Sequence, residues 1–292
     1  TGERGPGAGG AHARRLAVPG CATPLVYERA ADGRLLSVTG GGRPYVDARA
    51  PGRVVYDGGF VVVEQAELPG GYVRRVAVAA GAWRDAWTET YRWDAQGRLV
   101  EVDGVRVRHD GEGRVTACQG PAGDWYYGYA GAHLAVIDGP AGVRHVLRGD
   151  DGRATGWREG GRTVALAHDR EGRRLPARER PARWHADATG RVWSVSDAAG
   201  RVVRSYLWDG WHCLGAIAGE PGAPMLAVHS LDPTGTPVRV VGRDGVRRIP
   251  RDAFGEGLLA HPDVPGLFGG MTDADGLVWL PFRRLDPRTG SW

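Results

Sequence analysis

Apolar and polar residues alternate along this chain in short runs that Gly and Asp interrupt at intervals. Arg191-Val192-Trp193-Ser194-Val195 and "RVVRSYLW" (201–208) show the pattern clearly. A period of two, carried by β-branched and aromatic residues, predicts half-buried strands. No segment longer than about eight residues keeps a 3.6-residue period, so helices are expected to be few and short.

The runs are separated by a recurring unit: an aromatic or apolar residue, Asp, two variable residues, Gly-Arg, then renewed alternation. "YRWDAQGRLVEV" carries it at Asp94 and Gly97, and "VRHDGEGRVTAC" at Asp110 and Gly113. "WHADATGRVWSVSDAAGRVVRSYLW" holds two copies, Asp187 to Gly190 and Asp197 to Gly200. Looser copies surround Gly33, Gly152, Gly172, Gly235, Gly255 and Gly276. An Asp at the first turn position accepts N–H bonds from the backbone that bends around it. A Gly three residues on takes the positive φ that closes the turn. Each unit therefore reads as a β-hairpin, with Asp94, Gly97, Asp110, Gly113, Asp187, Gly190, Asp197 and Gly200 as turn residues. The fold class is all-β, a long antiparallel meander.

Composition changes this picture little. The 292 residues are 42% hydrophobic and 25% charged, with 11 Trp, enough for one large core or two smaller ones. All 38 basic residues are Arg, and Asn is absent as well as Lys, as a GC-rich bacterial coding sequence would give. The arginines are scattered among 34 acidic residues and the net charge is only +4. A nucleic-acid surface would want a basic stripe, so no nucleic-acid partner is expected. No apolar run approaches the roughly 18 residues of a membrane helix, and no membrane span is expected. Cys21, Cys118 and Cys213 have neither disulfide-framework nor zinc spacing, which predicts buried thiols, no metal and no cofactor.

The C-terminal tracts "HSLDPTGTPVRVVGRDGVRRIPRDAFGEGL" (229–258) and "PGLFGGMTDADGLVWLPFRRLDPRTGSW" (265–292) add order to the repeats. In sequence and spacing they resemble the end of the core of the YD-repeat, or Rhs, proteins. That family includes the encapsulating subunits of bacterial toxin complexes and the teneurins. The resemblance covers the last sixty or so residues most specifically and extends weakly back to Tyr91 or Tyr27. It implies a sheet that spirals into a full or partial shell around a C-terminal toxin or effector. It also implies that the protein is secreted or delivered by a bacterial secretion system, with a cytoplasmic stage before export. By position Asp232 and Asp286 match repeat segments, and Leu285 stands where the family has Tyr, so no catalytic aspartate is assigned. The expected organisation is a flexible segment 1–20, a degenerate β-repeat region 21–90, a YD-repeat ribbon 91–228 and an Rhs-core-like segment 229–292.

Candidate chemistry is sparse. Asp273 to Gly276 begins like a calcium loop, but position 282 is Phe where the bidentate Glu belongs. "GRRLPARERPARWH" (172–185) holds five arginines and two prolines and reads as a solvated boundary segment. In "WYYGYAGAH" (125–133) alternation puts Trp125, Tyr127 and Tyr129 on one face, a core ladder or a stacking surface for a carbohydrate or protein ligand. Trp208 and Trp211 are assigned to packing between hairpins and kept as binding candidates, while His212 and Cys213 continue the next strand. The functional expectation is a non-enzymatic shell segment whose partners are a C-terminal cargo or the remaining shell. A stand-alone binding module and a repurposed β-scaffold enzyme with an Asp/His/Trp-lined pocket are the alternatives.

Overall fold

A computed structural model describes residues 11–78, 86–166, 183–189, 191–250, 252–255, 270–272, 277–279 and 284–290. Among these the secondary structure is β-strand throughout, apart from one 3-10 turn at Asp57–Gly59. Sixteen strands, from His12–Leu16 to Arg162–Ala165, form one sheet in strictly sequential order. Seven more, from Arg183–Ala186 to Gly245–Arg248, form a second sheet, and three two-residue strands between Met271 and Leu285 form a third. Every described strand pair is antiparallel, as the hairpin reading requires.

The repeat unit has one physical construction. At Asp94 the backbone N–H bonds to the Arg98 carbonyl at 2.9 Å, and the Gly97 N–H returns to the Asp94 carbonyl at 3.0 Å. This is a three-residue hairpin loop closed by a residue in left-handed conformation, with the bulge such loops require between Arg92 and Trp93. Gly97 supplies the left-handed residue at φ 76°, and Gly113 and Gly200 sit at 81° and 80°. The Asp side chain then staples the loop. Asp94 Oδ1 accepts from the amides of Gln96 and Arg98, both at 2.9 Å, and Oδ2 accepts from Arg98 Nε at 2.7 Å. Asp110 with Arg114, and Asp197 with Arg201, repeat the arrangement.

The Arg after the Gly is thus part of the turn, a role that the spacing D-x-x-G did not reveal. At Asp187 the second carboxylate oxygen takes the Trp193 indole N–H instead, at 2.8 Å. Gly190, assigned as its turn residue, lies outside the described residues, as do the loose copies at Gly172 and Gly276. The copies at Gly33 and Gly152 keep the same backbone bonds without an Asp at the first position, and Asp32 or Asp151 caps the following Arg amide instead.

By compactness the chain divides into two units, Thr1–Thr90 with Ala182–Arg248, and Tyr91–Pro181 with Ile249–Trp292. In the first, the core includes Leu25, Val38, Tyr45, Tyr206, Leu207, Ile217 and Met225, each 1% exposed or less. Distant segments meet there through polar contacts as well. The Tyr45 hydroxyl accepts from Gly222 N–H at 2.5 Å and donates to the Ala223 carbonyl at 2.7 Å. In the second unit, strand Gly123–Ala130 alternates as predicted, with Trp125 and Tyr127 buried and Tyr126 exposed. Its buried face is covered by the chain itself: Phe254 meets Tyr127 edge-on at 5.4 Å, and the Tyr127 hydroxyl accepts the Ala253 N–H at 2.8 Å.

Candidate functional site

Three neighbouring strands of the second unit, Gly142–Arg148, Ala154–Glu159 and Arg162–Ala165, build a site from their register. Two glycines in left-handed conformation, Gly160 and Gly161, close the last hairpin as a two-residue turn that fixes the pairing. Arg144 stands opposite Glu159, and Glu159 opposite Arg162, so one row across the sheet reads cation, anion, cation. The next row on the same face is Val146, Trp157 and Val164. Arg144 Nη2 donates to both Glu159 oxygens, at 3.0 and 3.2 Å, and its side chain is only 7% exposed.

A C-terminal turn completes the site. Arg288 places its guanidinium 4.7 Å from the Trp157 ring, a cation–π distance. Buried Asp286 holds it there, accepting from Arg288 Nε at 2.9 Å and from its amide at 3.1 Å. Arg144, Trp157, Glu159, Arg162, Val164 and Arg288 line an open cavity of about 370 Å³. Among the described residues its wall supplies guanidinium donors, one carboxylate and the side chains of Trp157 and Val164.

The sequence-assigned binding candidates are not among the described residues that line this cavity. Trp125 and Tyr127 are 8% and 6% exposed and belong to the core of the second unit. Gly139 makes room for the first of them, since a β-carbon there would lie 2.7 Å from the Trp125 indole. Tyr129 follows a bulge after Gly128 and is half-buried, donating to the Val115 carbonyl at 2.8 Å beneath the Arg114 guanidinium. In the first unit Trp208 is buried with its indole N–H on the Val192 carbonyl, whereas Trp211 is 51% exposed. Arg191 joins these two, lying 5.5 Å from the Trp208 ring and 4.7 Å from that of Trp211. His212 and Cys213 do continue the strand, His212–Ile217. Cys213 is fully buried, and burial pushes its thiol well above the usual range.

A second polar cluster, in the first unit, also escaped sequence reasoning. Glu89 is wholly buried, yet it accepts from the Trp87 indole at 2.8 Å, from Ser230 Oγ at 2.8 and 2.7 Å, and from Arg239 at 2.9 Å. Arg74 lies 3.6 Å away on its other side. Burial alone would raise the carboxyl, but Arg74, Trp87, Ser230 and Arg239 outweigh it and hold the group below the usual carboxylate range. The signal was available: Trp87, Glu89, Tyr91 and Trp93 occupy one alternating face, and a carboxylate in that series needs buried partners. With Glu89 wholly buried and bonded on both sides, the cluster reads as an internal tie.

No group of three or more His, Cys, Asp or Glu side chains at metal-binding distance occurs among the described residues. No described helix is long and apolar enough to cross a membrane. The calcium-like tract at 273–276 and the Arg/Pro-rich tract up to residue 182 lie outside the described residues. No family model and no curated protein matches this chain.

Proposed function

We propose that the chain is a non-enzymatic β-hairpin-repeat scaffold, a shell segment of the YD-repeat kind that encloses or presents a partner polypeptide. The observation that carries this reading is the recurrence of one stapled turn at Asp94, Asp110 and Asp197, with the same bonds and the same Gly conformation. Interchangeable hairpins added one after another are how repeat proteins extend a surface, each unit stabilised chiefly by its neighbours. Such a wall needs no convergent catalytic groups.

In this reading the cargo is a toxin or effector polypeptide and the setting is a bacterial secretion system. The test is to express the full reading frame, measure intact masses of the purified product, and expose it to protease. A second polypeptide that co-purifies and resists digestion only while this chain is present is the expected result. A product that purifies alone, or a polypeptide digested equally fast with and without the chain, overturns the proposal.

A further inference from the structure

We infer that Trp211 and Arg191, in the first unit, form a docking point for an acidic segment of a partner polypeptide. One turn of the repeat departs from the others. In the turns at Asp94, Asp110 and Asp197 the Arg after the Gly gives its Nε to the second Asp oxygen, at 2.7, 2.7 and 2.9 Å. Arg191 holds that place in the turn at Asp187 and keeps the backbone bond, its N–H lying 3.2 Å from Asp187 Oδ1. Its side chain is not used there, because the Trp193 indole N–H occupies the second oxygen at 2.8 Å. Arg191 Nε is buried with no hydrogen-bond partner, and the guanidinium forms no ion pair among the described residues.

The guanidinium released from the staple lies against aromatic rings instead, 5.5 Å from buried Trp208 and 4.7 Å from Trp211. Trp211 is the second residue of a two-residue turn, after Gly210 at φ 57°, between the strands Val202–Asp209 and His212–Ile217. Small polar residues and Gly dominate turns, yet this tip holds an indole that is 51% exposed. An exposed Trp beside an Arg without an acid partner is the pairing in which binding energy concentrates at protein interfaces. Charge complementarity selects the occupant. Asp209, at the base of the same turn, is already paired with Arg29 at 2.6 Å, so Arg191 is left for a carboxylate from outside. An apolar side chain of the partner would cover the open indole surface. Residues two apart in an extended segment share a face at about 7 Å spacing, so an acidic and an apolar side chain placed in that way reach both groups.

The docking point goes beyond the scaffold reading and is tested separately from it, on the whole chain with a synthetic peptide and without any cargo. The probe is acetyl-Gly-Glu-Ser-Leu-Gly-amide, beside a counterpart with Gln in place of Glu. Each is titrated into protein with nitrogen-15-labelled tryptophan, and the Trp211 indole signal is identified by its loss in Trp211→Phe. The Glu peptide should shift that signal saturably, and added salt should weaken the response. The Gln peptide should bind at least about tenfold more weakly. Arg191→Gln should abolish the difference between the peptides, with Arg191→Lys keeping part of it. Arg201→Gln, a staple arginine whose side chain is 81% exposed, should leave the titration unchanged. The other indole signals report whether each variant is folded, and the two peptides test the assignment on the wild-type chain whatever the variants do. No shift at about 10 mM Glu peptide, equal responses to the two peptides, or equal losses in the Arg191 and Arg201 variants would each overturn the assignment. A tighter response to maltotriose or to oligothymidine would overturn it in favour of a sugar or a nucleic acid.

Discussion

Replacing Glu89 by Gln removes one negative charge from between two guanidiniums and leaves the shape almost unchanged. The Arg74 and Arg239 side chains are only 13% and 12% exposed, so both charges would remain largely out of water without their carboxylate. Breaking a buried ion pair by deleting one partner costs about 3–5 kcal/mol. The lower end applies here, because Arg239 also lies 5.2 Å from the Trp87 ring and Arg74 donates to the Leu231 carbonyl at 2.6 Å. A loss of about 3 kcal/mol is a large part of a domain's stability and moves a urea midpoint by roughly 1 M.

The comparison variant is Glu101→Gln, whose partner Arg92 is 57% exposed. That pair should cost well under about 1 kcal/mol. The acid limb gives a second readout. The folded Glu89 carboxyl lies below its ordinary value, so its contribution is present above that value and is lost as pH falls through the lower folded one. Glu89→Gln should flatten this part of the stability profile. If equilibrium urea unfolding shows Glu89→Gln within about 1 kcal/mol of wild type, with unchanged circular dichroism, the buried-tie reasoning fails.

Other measurements probe the turns and buried groups. Gly97→Val should destabilise by about 1–3 kcal/mol through left-handed strain alone, since a β-carbon there meets nothing within 4 Å, and Gly97→Asn should cost less. Thermal unfolding that ranks the two variants equally with wild type would refute the turn assignment. His229 is buried, and burial lowers its pKa to about 4. Its penalty is absent above the unfolded value near 6.5 and grows to about 3 kcal/mol as pH falls to 4, so His229→Gln should remove that slope in pH-dependent unfolding. Of the three cysteines only Cys21 is not buried, so a thiol reagent should label one cysteine in the native protein and three after denaturation. Cys213→Ala should leave the metal content measured by mass spectrometry at zero; a stoichiometric metal lost on that change would contradict the structural role given to the thiol.

The sequence by itself determined the strands and the turns between them. Both are local: alternation assigns a face within five residues, and the left-handed Gly and the capping Asp act within one loop. Asp94, Gly97, Asp110 and Gly113 were therefore legible, and so was the shared face of Trp125 and Tyr127, though not whether that face is covered. The Arg that completes each staple was in plain view but had no spacing rule to mark it. Register lay one step further away. The Glu159–Arg162 pairing follows from a two-glycine turn, and the Arg144–Glu159 pairing from the next hairpin, so that charged row could have been worked out strand by strand.

What covers each face could not be worked out in this way. Arg288 over Trp157, Phe254 against Tyr127, and Ser230 and Arg239 around Glu89 join segments more than 100 residues apart. Such contacts depend on how distant strands stack, which no local period encodes. They decide which aromatics are core and which charges are buried, and they assemble the cavity; the tertiary structure alone supplied the site.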